Sequence, residues 1–466
     1  MLRLALVVVP LIAFVGCQTE NKAYCPANPG SQGCPPDGPS GGRCNSSNDC
    51  TSMPNFPVCD TTESPHACVQ CTANEHTLCT GTTPLCKNDS CVACVQNSEC
   101  GTDGLCLPNG ACATSDNIIH ASTGGMDVPG CGQTGSACTL ERALIEVTAT
   151  RNVIKLDDPD PAIYIPATNN FVVNVNVTID ARDAILHKKD NGPILTISAG
   201  KIAAIFGGMI EGATGTGGDG IQCASNATLT VDGTTFQANA ESGIDASSCT
   251  LMVSNANIHD NSKASAGTLF AGIEVSQGSI TISQSKIVSN KGGGITVNNN
   301  GKFAIVGNMF LSNGDPTVAA GGVSLTTATP GNRLEFNTFA ENKSITAIGV
   351  GSGIQCLVTG FTAKNNIVWN NNGSSGVQVG GNCQHAYSDI GPMAVPGGPT
   401  GLDGGNNSSS DPMFVNPTMD LHVKSGSPVQ GRASSTADLT GIASKDIDGH
   451  PRVAPADLGA YVVPAQ

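Results

Sequence analysis

Apolar positions in the middle of the chain keep a fixed offset to a following asparagine. Phe236, Ile258, Ile287, Phe310, Phe339 and Ile367 each stand three residues before Asn239, Asn261, Asn290, Asn313, Asn342 and Asn370. Five positions before the first set lies a second apolar residue: Val231, Val253, Ile282, Ile305 and Leu334, the series being broken by Thr362. A Gly-Ile or Gly-Val pair marks each unit: Gly220-Ile221, Gly243-Ile244, Gly272-Ile273, Gly294-Ile295, Gly322-Val323, Gly353-Ile354 and Gly376-Val377. These glycines are 22 to 31 residues apart, the size of one solenoid coil. Such short strands cannot bury a face alone, so the pattern predicts coils that stack on one another. The corner asparagine fits twice over. Asn tolerates the left-handed backbone of a tight corner, and its amide can hydrogen-bond from coil to coil.

Six consecutive units of this kind resemble the right-handed parallel β-helix family, which implies three short strands per coil over residues 151–400. The expected fold class is therefore all-β, a parallel β-helix preceded by a disulfide-rich, loop-rich region. Lyases, hydrolases, phage tailspikes and adhesins all use this fold, so it does not select a chemistry.

Residues 1–16 hold Arg3 and an apolar run to Val15, too short to span a bilayer and readable as an export signal. The sequence Phe14-Val15-Gly16-Cys17 resembles a bacterial lipobox, which implies lipidation of Cys17 and attachment to the membrane through that lipid alone. Gln18 then implies the outer membrane or cell surface. The other reading is a plain secretory signal with an odd thiol. Of 21 cysteines, removing Cys17 leaves an even 20, as an exported, disulfide-bonded protein requires. Residues 17–43 are rich in Gly, Pro and Ser and read as a flexible tether.

Residues 44–112 carry twelve cysteines in three groups of four, joined at Cys68-Val69-Gln70-Cys71 and Cys91-Val92-Ala93-Cys94. Few large apolar residues lie between them, so disulfides must replace a core, with the pairing left open. Zinc at the two Cys-x-x-Cys joints is the alternative, disfavoured because each joint straddles a module boundary. The region resembles stalk modules of bacterial surface lipoproteins, either a spacer or a binding module.

Residues 113–150 read as a linker and a capping helix. Leu140, Ala143, Leu144 and Val147 share one helical face. Residues 138–143 (CTLERA) resemble the CSLREA motif that opens many secreted bacterial β-helices, so the helix is expected to cover the exposed edge of the first coil. Cys131 and Cys138 beside it are read as disulfide-bonded. At the other end, Asp411-Pro412-Met413-Phe414-Val415, Asp446-Ile447-Asp448-Gly449 and Asp457-Leu458-Gly459-Ala460-Tyr461 resemble the choice-of-anchor Q tail, making 401–466 a C-terminal cap. No membrane segment follows Tyr461, as expected of a chain anchored at its other end.

The second residue after each opening Gly should point outward, because the Ile or Val before it points in. Those positions are Gln222, Asp245, Glu274, Thr296, Ser324, Gln355 and Gln378. Asp245 and Glu274 would stack about 4.8 Å apart, a separation open to a glycosidase pair or a Ca²⁺ site, with His259 and Asp260 as accessories. Against this stands a plain solvated polar face, which is the preferred reading, with no cofactor. A polygalacturonase-like set of acids, Gly-His-Gly and Arg-Ile-Lys is absent from the coils, and Lys286, Lys291, Arg333 and Lys364 form no lyase cluster. Coils lengthen just after the Asn, at 262–271, 314–321 and 343–352, where insertions wall a groove. Phe270 is the aromatic in that lip. Gly-Ile-Gln-Cys occurs at both 220–223 and 353–356, with Cys249 and Cys383 following 26 and 27 residues after Cys223 and Cys356. Adjacent coils are close enough for Cys223–Cys249 and Cys356–Cys383 bonds.

The formal charge of −15 disfavours nucleic acid and anionic membranes as partners. The expected function is a non-catalytic adhesin or glycan-binding lipoprotein whose partner is an extracellular glycan. The alternative is a polysaccharide lyase or glycoside hydrolase.

Overall fold

Three parallel sheets wind into one right-handed solenoid, and each is built from one strand per coil. The computed structural model of the chain describes residues 41–463, except 63, 76, 159–160, 168, 183, 189, 264–267, 327–330, 347–348, 373–375 and 393–401. The leader, Cys17 and the tether up to residue 40 lie outside the described residues. Sheet A has nine strands, from Phe171–Val173 to Val379–Gly381. Sheet B has eleven, from Ile118–Met126 to Gln384–Ala386, and sheet C has ten, from Ala162–Tyr164 to Asp389–Gly391. A typical coil runs Ile221–Cys223 in sheet A, Thr228–Asp232 in B and Thr235–Gln237 in C.

The core follows from the period-two alternation of each strand. Ile221, Ile244, Ile273, Ile295, Val323 and Ile354 are paired in register down sheet A and fully buried. Phe310 and Phe339 stack across two coils of sheet C with ring centroids 4.5 Å apart. Apolar side chains stacked in register form one buried cluster, which is how short strands acquire a continuous core.

The corner between sheets C and A holds a buried asparagine ladder. Each Nδ2 donates to the next Oδ1 from Asn239 to Asn261, Asn290, Asn313 and Asn342, at 2.9 to 3.0 Å. The next rung is Asn371, not Asn370, with Asn342 Nδ2 donating at 2.8 Å. The last coil is thus one residue out of the expected register: Val368 pairs with Phe339, and Ala363 rather than Thr362 fills the position after Leu334. Gly376-Val377 does not open a strand. Ile354 pairs with Val379, and the buried Gln378 ends the ladder through its Oε1, 3.0 Å from Asn371 Nδ2. Nor is the ladder residue the left-handed one. That is its predecessor: Ala238, Asp260, Ser289, Ser312, Glu341 and Asn370, with φ between 54° and 58°. A second ladder, unforeseen from sequence, joins Ser285, Asn308, Asn337, Asn366 and Ser388 at the B–C corner.

Before the first coil, helix α1 (Leu140–Glu146) starts at Thr139, whose hydroxyl accepts from Arg142 N at 3.2 Å. Leu140, Ala143 and Leu144 pack against Ile119, Ile154 and Phe171. Part of the segment read as linker is itself solenoid: Ile118–Met126 pairs in parallel with Val153–Leu156. Asp157, at the end of this second strand, binds His120 and, at 3.1 Å, Lys155.

The C-terminal segment is more than an end cap. Leu402 and Ser408 add a final rung to His385 and Ile390. The chain then folds back along the flank of sheet C, where Phe414, Leu421, Val429, Leu458 and Tyr461 cover Met309, Leu311, Ala340 and Ile367. Buried Arg452 lies 4.7 Å over the Phe336 ring and donates to the carbonyls of Gly459 and Ala460. Among the described residues no helix is long and apolar enough to cross a membrane.

The unit that ends at Thr114 is built differently. Its twelve sulfurs from Cys44 to Cys112 form six disulfides, each group of four pairing first with third and second with fourth: 44–59, 50–68, 71–86, 79–91, 94–106 and 100–112. Gly41–Arg43, read as the end of the tether, is a strand paired with Ala67–Val69.

Candidate functional site

The outward row of sheet A runs, in register, Thr196–Gln222–Asp245–Glu274–Thr296–Ser324–Gln355. All except Gln222 are half-buried, and Gln222 is exposed. Gln378, expected next in the row, is instead the ladder's buried end, and Gly380 takes its place.

A cleft of about 480 Å³ opens over Thr296 and Ser324. Its origin is an alternation in corner length. The corners that end at Ala271 and Gly321 are long, while the one between them is the short turn Lys291-Gly292-Gly293. The notch lies where that short turn drops below its neighbours. Thr268 and Leu269 wall one side, residues 317–320 the other, and Gly292 lies between. A side chain at 292 would collide with the Phe270 backbone, so the glycine lets the turn pass close under its lip. Phe270 itself is half-buried, and the lining on that side is Thr268 and Leu269 rather than the expected aromatic.

Both lips are tied down. Phe270 N donates to Ser262 Oγ at 2.9 Å, and Ala271 N donates to Glu274 Oε1 at 3.1 Å. In the other lip Asp315 Oδ1 accepts from Thr317 N and Oγ1, both at 3.0 Å, and Ile345 N donates to Val318 O at 2.8 Å. Among the described residues the lining is backbone, hydroxyls and apolar side chains, and no ionisable side chain is in it.

Towards the first coil the same row turns acidic. Burial, and then the charge of Glu241, push Asp245 above the usual carboxylate range. Burial raises Glu274 too, with Asp245 and Glu241 adding to the effect. Asp219, almost wholly buried, rises to about 7 through desolvation and then Asp245, although its Oδ1 accepts from Ser242 N at 2.9 Å. Neither Asp219 nor Glu241 stood out in sequence. Both occupy the C–A corner, Asp219 directly before Gly220 and Glu241 two residues before Gly243, which was the available signal.

Other sequence candidates lie elsewhere. His259 and Asp260 bond to each other at 2.8 Å at the end of a sheet C strand and are not accessories to sheet A. Arg333 pairs with Glu335 at 3.0 Å on sheet B. Cys223 is joined to Cys249 and Cys356 to Cys383, with Cα separations of 5.9 and 5.6 Å. Cys131 is joined to Cys138. Beyond cysteines already in disulfides, Asp446, Asp448 and His450 bring three possible metal-ligand atoms within 4.8 Å. These belong to a turn in the tail, where Asp446 Oδ1 accepts from Asp448 N and His450 N. Asp245 and Glu274 are not among such groups.

A family model described as "Right handed beta helix region" matches residues 219–389. No curated protein matches the chain. Among solved structures, the chain is similar to one titled "Crystal structure of pectate lyase Pel9A", at 13% identity and a TM-score of 0.43, over 75% of this chain and 97% of that one.

Proposed function

We propose that the protein is an exported, lipid-anchored surface protein that binds glycans in the notch over sheet A and does not cleave them. The observation that carries this reading is the notch itself, a cleft with the hydroxyls of Thr296 and Ser324 on its floor and Thr268 and Thr317 in its walls. Sugars present hydroxyls and small apolar faces, and a wall of hydroxyls, backbone and Leu269 or Val318 methyls complements both. The nine disulfides among the described residues support export to an oxidising compartment. Anchoring rests on Cys17: Cys17→Ser should move the protein from the membrane fraction to the soluble one, and unchanged partitioning would refute it.

A second reading, glycoside hydrolysis, is favoured by one observation, the raised Asp219 beside Asp245. A general acid needs such a shift. Asp219, however, is only 3% exposed, out of reach of a glycosidic oxygen. The test is to incubate the full-length protein with an oligosaccharide panel and follow binding and product release together. Saturable binding without reducing ends or unsaturated products is expected. Release of either product would replace the binding reading with the enzymatic one.

A further inference from the structure

We infer that the notch selects uncharged glycans and that the acidic end of the same row repels uronate-bearing ones. This rests on the glycan-binding reading and adds the ligand class. Three observations converge on it. Among the described residues no ionisable side chain lines the cleft, so none of them compensates an anionic ligand. Glu274 is the immediate neighbour of Thr296 in register, and Asp245 the next, so a polymer extending from the notch along the row meets two carboxylates within two rungs. Glu274 cannot swing away freely, because its Oε1 holds the lip through Ala271 N at 3.1 Å.

The cations nearby do not offset this. Lys263, Lys291 and Lys343 stand at the same corners but are exposed, with their ammonium groups in solvent, where screening is strong. Glu241 adds negative charge behind Asp245, and the chain as a whole carries −15. A polyuronate has one carboxylate per sugar, so threading it through the notch would set like charges side by side in a half-buried row, where they are costly. A neutral chain meets the same carboxylates as hydrogen-bond acceptors for its hydroxyls.

The discriminating ligands are a polyuronate oligosaccharide and its carboxyl-reduced form, equal in length and linkage. They are titrated into the full-length protein at low ionic strength in the presence of a chelator. The reduced form should bind at least about tenfold more tightly, the scale of one uncompensated like-charge contact. The double variant Asp245→Asn with Glu274→Gln keeps the amide oxygen for Ala271 N and should narrow the gap to within about threefold. Equal or tighter binding of the native polyuronate by the wild type would overturn the inference while leaving glycan binding intact. An unchanged gap in the double variant would overturn the role given to the two acids. If neither form, nor any neutral oligosaccharide, binds, it is the glycan reading that fails.

Discussion

The two ends of the sheet A row share a backbone, a register and a spacing, yet they differ in chemistry. At Thr296 and Ser324 the floor is uncharged and lies in a cleft; at Gln222, Asp245 and Glu274 it is acidic and outside it. The sheet makes no difference between them. What differs is the corner: long, short, long around Gly292, against corners that bury Asp219 and place Glu241 beside the row. A solenoid therefore separates its duties, with the coil fixing position and the corner fixing chemistry.

The largest expected effect tests whether the corners depend on the ladder beneath them. Asn313→Ala strips four bonds, from Asn290 N and Nδ2, to Asn342 Oδ1 and to the Ile287 carbonyl, and should cost about 3–5 kcal/mol in unfolding free energy. Asn239→Ala under the acidic end should cost a similar amount. Only the first should also loosen the 314–321 lip, seen as faster amide exchange at Val318 and Ile345.

Next comes the cross-link. Replacing Cys223 and Cys249 together by Ser should cost about 3 kcal/mol from a loop of 26 residues, and the Cys356–Cys383 pair a similar amount. Denaturant titration under non-reducing conditions decides it. Equal stability in either pair of variants would show that the stacked coils alone fix the register.

A pH titration of stability addresses the acidic end. Asp219 keeps its proton up to about pH 7 when folded, but loses it near its ordinary value of 3.8 when unfolded. Between those limits the folded state binds more protons, so stability falls as pH rises from about 4 to 7 and levels off above. Asp219→Asn should flatten most of this slope, leaving what the raised Asp245 and Glu274 add to it, and gain on the order of 2–4 kcal/mol at pH 8. A variant as pH-sensitive as the wild type would assign the slope to other groups. The smallest effect belongs to Asp245→Asn with Glu274→Gln, expected to change stability by less than about 1 kcal/mol, because both side chains reach solvent and the lip bond is retained.

The stack was legible because its repeat is local: each coil carries its own Phe or Ile, its Asn and its Gly-Ile. Legibility failed where side chains compete for one position. Asn370, Asn371 and Asn372 stand together, and only the burial of Val368 shows that the middle one is the rung. The second ladder stayed hidden because Ser285 and Ser388 take two of its rungs, so in consecutive coils Asn308, Asn337 and Asn366 alone carry the signature. The return of the tail along sheet C rests on contacts such as Tyr461 with Met309, 152 residues apart, which no local pattern encodes. The row positions of the site could be read from alternation, but the burial that raises Asp219 depends on the neighbouring coil, and the notch depends on the relative height of three corners.

If the notch anchors the ligand and the acidic end only flanks it, blocking the notch must cost far more affinity than a bulky group at the far side of the acids. The affinity of one neutral oligosaccharide is to be measured for the wild type, Thr296→Trp and Gln222→Trp side by side. The row places both indoles on the outward face of sheet A, one filling the notch and one standing clear of it. A loss of about 30-fold or more is expected for Thr296→Trp and a change of less than about threefold for Gln222→Trp. Equal losses in both, or a loss confined to Gln222→Trp, would contradict anchoring in the notch.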